Sequence, residues 1–299
     1  MHDILILGSE GFIGSNLVTY YLAKKWRVAG IDRADTPTHD YNYHKLLSIN
    51  DFTEFLLRNE FGYIVNAAGS GNVGFSISHP LGDFQSNCFE TAKILDSIRI
   101  AGSRAAYLHI SSAAVYGNPQ KLPVYEEDRL KPLSPYGWHK LMSEMLCREY
   151  FEQYGVRSCI IRPFSVFGPG IRKQLFWDIH HKAAINPVLE LLGTGNESRD
   201  FIYIDDLLQA ISCVITGDVF SGEAINVANG TEIFIKDAIS VFQKNSLTPF
   251  EYRFNGETRS GDPINWRADI SRLSALGYIQ QTSFEEGIKN YIRWLREEE

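Results

Sequence analysis

The sequence predicts an α/β protein with a doubly wound parallel sheet and a smaller C-terminal domain. In the first half of the chain, short apolar runs rich in β-branched and aromatic residues alternate with helix-like stretches, which is typical of parallel βαβ units. The first apolar run leads directly into a glycine-rich turn and then into a helix-like stretch. After Pro169 this alternation ends, which predicts a second region of different architecture.

Five runs have the length and composition of buried strands. They are residues 4–7, 28–31, 63–67, 106–111 and 159–162. Helices are expected between them over residues 13–25, 51–58, 88–101 and 136–154. Gly102 and Gly155 follow two of these stretches, and a glycine commonly ends a helix in this way.

The second region carries weaker signals. Strands are expected at residues 189–192 and 201–204, and loops at 226–230 and 255–262. A helix is expected from Asp205 or Asp206 to Val214, and a last amphipathic helix at 283–297. We therefore assign residues 1–164 to a first domain. Residues 165–299 are expected to form mainly a second, smaller domain, with part of the chain returning to the first.

The glycine-rich turn has the spacing of a dinucleotide site. Gly8, Gly11 and Gly14 follow the first strand and open the first helix. The first glycine permits the tight turn, the second lets the backbone approach a pyrophosphate, and the third lets the helix pack on the strand. Backbone N–H groups and the helix dipole then face the phosphates. The first domain is therefore predicted to be a Rossmann-type domain that binds NAD(P).

The end of the second strand indicates which dinucleotide is bound. Asp32 stands there, 18 residues after Gly14. An acidic side chain at this place hydrogen-bonds the adenosine ribose and repels a 2′-phosphate, which favours NAD. Arg33 is next in the chain, and an arginine nearby can accept that phosphate, so NADP stays possible.

Three further side chains form a candidate catalytic set. Tyr136 and Lys140 are four residues apart and therefore lie on one face of a helix. A phenol is a poor base at neutral pH, but a nearby ammonium and a cationic nicotinamide favour the phenolate. Tyr136 could then take a proton from a hydroxyl group, or return it. Ser112 comes just after a predicted strand, where ligands bind in open α/β sheets, and its hydroxyl could hold the reacting oxygen.

Other motifs continue along nearly the whole chain. They are Asn66-Ala67-Ala68-Gly69, Pro80 with Asn87, residues 111–117, residues 162–170, Gly193-Thr194-Gly195 leading to residues 199–206, and Arg259 with Asp262. Together with the glycine turn and the Tyr136/Lys140 pair, they resemble the extended short-chain dehydrogenases/reductases. The resemblance is to the NAD-dependent epimerase/dehydratase group, typified by the UDP-galactose 4-epimerases.

The resemblance implies roles for the matching residues. Those expected to bind the cofactor are Gly8, Gly11, Phe12, Ile13, Asp32, Arg33, Ser48, Ile49, Ala67, Ala68, Gly69, Asn87, Tyr136, Lys140 and Pro163. Those expected to bind substrate are Ser112, Tyr136, Ser165, Arg199, Arg259 and Asp262. The two arginines resemble those that clamp the diphosphate of a nucleotide-linked sugar, and bidentate guanidinium donors suit such a dianion.

The chain departs from the family pattern at four positions. Ser48 stands where an aspartate usually meets the adenine, and Ser165 replaces an asparagine that contacts substrate. Phe84 replaces a usual tyrosine. His139 precedes the lysine where a small residue is common, and we expect it at an exposed helix position.

Several activities share these motifs. Dehydratases of the family carry Asp-Glu after the strand-end hydroxyl residue, because elimination needs an extra acid and base. Decarboxylases tend to carry a glutamate in the same segment. Here Ala113 and Ala114 follow Ser112, which favours 4-epimerisation of a nucleotide sugar. A 4-ketoreductase that consumes NADPH would use the same residues, and a catalytically silent NAD-binding protein is a third hypothesis.

The composition of the chain limits the kinds of partner and the location that we expect for the protein. The net charge of -7 disfavours nucleic-acid binding, because phosphate contacts need clustered lysine and arginine. There is no signal-peptide pattern and no membrane-length apolar run, and the four cysteines fit neither a disulfide framework nor a zinc pattern. We expect a cytoplasmic protein without a metal. It is expected to form a homodimer through helices 88–101 and 136–154. The apolar side chains on these helices could form either the interface or part of the core; they are Ile94, Leu95, Ile98, Leu141 and Met145.

Overall fold

A parallel sheet of seven strands forms the centre of the protein. The computed structural model describes residues 3–45, 50–246, 248–257 and 261–298. Its strands are β1 (Asp3–Leu7), β2 (Arg27–Asp32), β3 (Asn42–Lys45), β4 (Tyr63–Asn66), β5 (Ala106–Ile110), β6 (Ser158–Pro163), β7 (Ser165–Phe167), β8 (Val188–Leu191), β9 (Ser198–Arg199), β10 (Phe201–Tyr203), β11 (Ala224–Val227), β12 (Ile233–Phe234) and β13 (Glu251–Phe254). The strand order of the central sheet is β11-β6-β5-β4-β1-β2-β3.

Helices cover both faces of this sheet. They are α1 (Phe12–Ala23), α2 (Asn50–Arg58), α3 (Val73–Ser78), α4 (Pro80–Phe84), α5 (Glu90–Ile100), α6 (Pro135–Tyr154), α7 (Gln174–Ile185), α8 (Ile204–Thr216), α9 (Ile235–Asn245), α10 (Ser271–Ala275) and α11 (Phe284–Glu298). A π-helical turn, Gln85–Phe89, joins α4 to α5, and a short 3₁₀ helix, Ala113–Val115, follows β5. The predicted doubly wound α/β fold is confirmed.

Alternate side chains of one strand pack on opposite faces of the sheet. Ile4 and Ile6 of β1 belong to the larger hydrophobic cluster, which also contains Leu17 of α1. Leu5 of β1 belongs to a second cluster, together with Leu95 of α5. All of these side chains are essentially inaccessible to solvent. A strand that is covered on both faces has no polar positions, which is why the sequence shows it as a continuous apolar run.

The strand order places a crevice between β1 and β4. After β3 the chain crosses to the other side of β1 and continues with β4, β5 and β6. Leu7 at the end of β1 pairs with Ile31 of β2 on one side and with Asn66 of β4 on the other. In open α/β sheets, ligands bind outside the carboxyl ends of the strands at such a switch point.

The strand β11 lies where the sequence predicts the start of a loop. The prediction of a loop at 226–230 is wrong for its first two residues, because Ala224–Val227 pairs in parallel with β6. Asn226 suggests a turn by its residue type, yet it is fully buried. Its backbone N–H donates to Glu126 at 2.9 Å and its side chain donates to the Val124 carbonyl oxygen at 3.0 Å. These distant partners make a polar residue stable inside the sheet.

The region after β6 is built from small sheets and an aromatic cluster. Strands β7 and β10, β8 and β13, and β9 and β12 form three separate pairs. Phe201 of β10 lies 5.1 Å from Phe284 of α11 between ring centroids, and Phe167 lies 5.8 Å from Phe176 of α7. Helices α7 and α9 were not predicted from the sequence, and their buried apolar side chains belong to the larger hydrophobic cluster.

Candidate active site

The glycine turn closes tightly against β4. Gly8 has a positive φ of 77°, and a Cβ there would lie 2.7 Å from the Ala68 backbone. At Gly14 an added Cβ would lie 1.9 Å from the Gly8 carbonyl oxygen, so only glycine lets α1 approach the turn. Gly11 is different, because within 4 Å its added Cβ would meet only that oxygen, at 3.3 Å. The space above the turn is therefore open to a phosphate, which fits a dinucleotide.

Asp32 holds the loop that follows β2. Its carboxylate accepts hydrogen bonds from the backbone N–H groups of Glu10 at 2.9 Å and Arg33 at 2.6 Å. The carboxylate is thus fixed beside the glycine turn, where the adenosine ribose of a dinucleotide is recognised. The Arg33 side chain is exposed.

The loop after β4 forms the opposite wall of the crevice. Asn66 accepts a hydrogen bond from the Ala68 N–H at 3.1 Å, while its amide donates to Tyr107 at 2.8 Å. Gly69 has a φ of 117°, and a Cβ there would lie 2.6 Å from Oδ1 of Asn87. Asn87 lies in the π-helical turn, and such turns are frequent at functional sites.

Helix α6 carries the candidate catalytic pair. Ser134 caps it by accepting the Gly137 N–H at 3.2 Å, and Pro135 occupies the first turn, where no N–H is needed. This start places Tyr136 in the first turn and Lys140 one turn later. Lys140 is buried and donates to the Ile110 carbonyl oxygen at the end of β5, at 2.8 Å.

The surroundings shift the pKa of both groups. Burial raises the pKa of Tyr136 to about 12, while a hydrogen bond with Ser112 lowers it and the charge of Asp83 raises it. Burial lowers the pKa of Lys140 to about 8, against the opposite effects of Asp83 and Glu144. Ser112 is held at the end of β5, where it caps the 3₁₀ helix by accepting the Ala114 N–H at 3.1 Å. Ser112, Tyr136 and Lys140 are therefore brought together at one edge of the sheet.

Several predicted ligand-binding residues lie at the end of β6 and beyond it. Pro163, which is predicted to bind the cofactor, ends β6, and Ser165, which is predicted to bind substrate, begins β7. Arg199 in β9 lies with its guanidinium 5.5 Å from the Trp266 ring centroid. Burial lowers the pKa of Arg199, and the nearby Asp262 carboxylate raises it. Asp262 thus lies close enough to Arg199 to act on it by its charge, whereas its expected pairing with Arg259 stays a prediction.

Three predicted site residues cannot be placed. Ser48, Ile49 and Arg259 lie outside the described residues. The contact of Ser48 and Ile49 with an adenine, and the second arginine of the diphosphate clamp, stay predictions.

Two features near the site were not predicted from the sequence. His139 is not at an exposed position, since its side chain is only 12% exposed and its Nδ1 lies 2.6 Å from the buried Asp83 carboxylate. Lys173 reaches across the crevice and donates to the Gly71 carbonyl oxygen at 3.3 Å. The signal for the first feature was present: an aspartate among apolar neighbours in α4 and a histidine in place of a small residue.

The described residues contain neither a metal-binding cluster nor a membrane-spanning helix. No group of three or more His, Cys, Asp or Glu side chains within them could hold a metal ion. No helix in that part of the chain is long and apolar enough to cross a bilayer.

The fold and the site define the class of protein. A glycine turn at the switch point, an aspartate after β2 and a Ser/Tyr/Lys set at the strand ends are the features of an NAD-dependent enzyme of the extended short-chain dehydrogenase/reductase type. Residues 4–228 match the NAD dependent epimerase/dehydratase family, and the chain belongs to this family. The predicted family and the predicted cofactor, NAD, are confirmed.

Relatives and solved structures match over nearly the full length. A putative UDP-glucose 4-epimerase of Methanocaldococcus jannaschii is 27% identical, over 98% of each chain. An uncharacterised UDP-glucose epimerase of Bacillus subtilis is 31% identical, over 98% of this chain and 97% of the relative. The crystal structure of UDP-glucuronic acid 4-epimerase from Bacillus cereus, in complex with UDP-glucuronic acid and NAD, superposes with a TM-score of 0.89. It is 27% identical, over 99% of this chain and 100% of that chain.

Proposed function

We propose that this protein is an NAD-dependent 4-epimerase of a nucleotide-linked sugar. The observation that carries the proposal is the meeting of Ser112, Tyr136 and Lys140 at the edge of the parallel sheet that also carries the glycine turn. Ala113 and Ala114, which follow Ser112, supply no further acid or base for dehydration. The similarity to 4-epimerases of UDP-glucose and UDP-glucuronic acid supports this reading.

Tyr136 is the proposed acid and base. Its phenolate takes the proton of the sugar 4-hydroxyl, and Ser112 holds the same oxygen by a hydrogen bond. NAD supplies the hydride chemistry, since it can accept a hydride from carbon 4 and return it. The Lys140 ammonium, fixed by the Ile110 carbonyl oxygen, binds the nicotinamide ribose and favours the phenolate through its charge. When the 4-ketose has turned over in the site, the hydride would return to the opposite face of carbon 4, and Tyr136 would give its proton back to the 4-oxygen, which completes the epimerisation.

The second region is the proposed substrate domain. Residues 1–164 would hold NAD, and residues 165–299 would mainly bind the nucleotide sugar, with β11 contributing to the central sheet. Arg199 and Arg259, accompanied by Asp262, would clamp the diphosphate, and Ser165 would contact the sugar. An arginine presents planar paired donors, which suit two phosphate oxygens.

The absorbance spectrum of the purified protein tests the function first. We expect NAD to be bound already, and incubation with UDP-glucose, UDP-glucuronic acid or UDP-N-acetylglucosamine should interconvert 4-epimers with no added cofactor. An empty protein that oxidises added NADPH only with a 4-keto sugar nucleotide would instead make it a reductase. Binding of NAD without turnover of any of these compounds would make it a silent binding protein.

A homodimer is the proposed assembly. Ile94, Leu95 and Ile98 belong to the core, so they are not available for an interface. Other large apolar side chains on the adjoining α4, π-helical turn and α6 remain exposed. They are Leu81 at 69%, Phe89 at 48%, Trp138 at 47%, Met142 at 40% and Met145 at 64%. Large exposed apolar side chains on adjoining elements are typical of an association surface, and a second copy would offer the same side chains in return.

Met145→Glu is expected to dissociate this dimer. A charge buried in an apolar interface lacks a partner, and two copies would face each other across a two-fold axis. Sedimentation should show a particle of twice 33.9 kDa for the natural chain and of 33.9 kDa for the variant. Met145→Leu is the matched control and should stay dimeric. A natural chain that sediments as a monomer at micromolar concentration contradicts the proposed assembly.

A further inference from the structure

A fully buried carboxylate lies behind the candidate catalytic helix. Asp83 of α4 has no exposed surface. Its Oδ2 lies 2.6 Å from Nδ1 of His139, and its Oδ1 accepts a hydrogen bond from Asn87 at 3.1 Å. An ionised carboxylate can only accept, so Nδ1 of His139 carries the shared proton. Because His139 stands between Tyr136 and Lys140 in the chain, the carboxylate is tied directly to the helix that carries both.

Asp83 also decides which way the Asn87 amide faces. The amide nitrogen donates both to Asp83 and to the Ser70 carbonyl oxygen, each at 3.1 Å. The amide oxygen must then point the other way, against Gly69 in the loop of the crevice. Asn87 is 2% exposed, and this oxygen has no hydrogen-bond partner within the described part of the chain. A buried acceptor without a partner is costly, and a donor on a bound cofactor would satisfy it.

The carboxylate also acts on the candidate catalytic pair by its charge. It raises the pKa of both Tyr136 and Lys140, in addition to the effect of burial. The other ionisable groups around Lys140 are Glu144 of α6, the Cys147 thiol of the same helix and His109 of β5. The imidazole of His139 and the amide of Asn87 both contact the Asp83 carboxylate directly, and of the two only an imidazole can carry a positive charge. Without it, a negative charge would be left buried close to the phenol.

We propose that Asp83 and His139 are a pair of positioning residues for this site. Asp83 turns the Asn87 amide oxygen toward the cofactor, and His139 compensates the buried charge that would otherwise oppose the Tyr136 phenolate. The second part rests on the proposed role of Tyr136. The first part concerns cofactor binding alone and can be measured without turnover.

The charge effect is tested by His139→Ser, which restores the small residue usual in the family. Loss of the imidazole should move the acidic limb of the kcat against pH profile to higher pH by about one unit, which is about tenfold in rate at neutral pH. The double variant D83N/H139S removes the charge as well and should recover most of the rate. A purely structural role predicts the opposite, namely that the double variant is no better than His139→Ser. Such a result, or an unchanged pH profile of His139→Ser, overturns this part.

The orientation effect is tested by the release of bound NAD. Asp83→Leu removes one of the two acceptors that fix Asn87 and should release NAD about tenfold faster, whereas Asp83→Asn keeps an acceptor oxygen and should release it nearly as slowly as the natural protein. His181→Ala, an exposed position on α7, is the control. Equal release rates for Asp83→Leu and Asp83→Asn overturn this part. If Tyr136 is not the base, this measurement still stands, so the two failures are distinguishable.

Discussion

Tyr136→Phe is expected to lower kcat for 4-epimerisation about a thousandfold, because general acid–base catalysis by a positioned side chain contributes about 10²- to 10⁴-fold. The ring keeps its place in the first turn of α6, so only the hydroxyl group that meets Ser112 is lost. Bound NAD should be retained, while the absorbance of reduced nicotinamide should no longer appear on addition of substrate. Product formation by chromatography and this absorbance together measure the effect.

The pH dependence of the epimerisation rate tests the role of Tyr136 in a second way. Burial raises the pKa of Tyr136 to about 12, so the phenolate is the scarce form at neutral pH. The rate of the natural enzyme should therefore rise with pH, and Tyr136→Phe should lack this rise. Tyr154→Phe, at an exposed position at the end of the same helix, should behave as the natural chain does. Full activity of Tyr136→Phe would remove the proposed base.

Arg162→Met is expected to lower the free energy of unfolding by about 3–5 kcal/mol, the usual effect of breaking a buried ion pair from one side. Arg162 and Glu144 are 5% and 6% exposed, with Nη2 and Oε2 2.7 Å apart. The guanidinium also donates to the Tyr116 hydroxyl at 2.8 Å and to the Glu126 carbonyl oxygen at 2.9 Å. Removal of Arg162 leaves the carboxylate buried without its cation. Urea unfolding followed by circular dichroism measures the change.

Matched variants distinguish the loss of the buried Arg162–Glu144 ion pair from a general loss of stability. Arg148→Met breaks an exposed pair with Glu152 on the same helix and should change stability by no more than about 0.5 kcal/mol. The double variant R162M/E144L removes both charges and should recover part of the loss, since a buried pair is often replaceable by apolar groups. A loss below about 1 kcal/mol for Arg162→Met would mean that the pair contributes no more than a surface contact.

The strands that could be predicted from the sequence are those whose residue pattern alone reveals their burial. The strands at 4–7 and 106–110 could be recognised because a strand buried on both faces is a nearly continuous apolar run, which only His109 interrupts in these two. Strand β11 could not, since its buried Asn226 is stabilised by Glu126 and Val124, about a hundred residues earlier in the chain. Helices α7 and α9 were missed for a related reason: their apolar faces are explained only by the aromatic cluster against which they pack.

The sequence by itself determined the residue types that the chemistry requires, and their order. Gly14 must be glycine for a steric reason, and Tyr136 and Lys140 share a helix face by their spacing alone. Only the tertiary structure decided what surrounds them. It tied His139 to Asp83, left the Asn87 amide oxygen facing the crevice, and buried Lys140 against the Ile110 carbonyl oxygen. His139 and Asp83 are 56 positions apart, Lys140 and Ile110 are 30 apart, and Asn87 and Ser70 are 17 apart. Contacts between such residues exist only after the chain has folded.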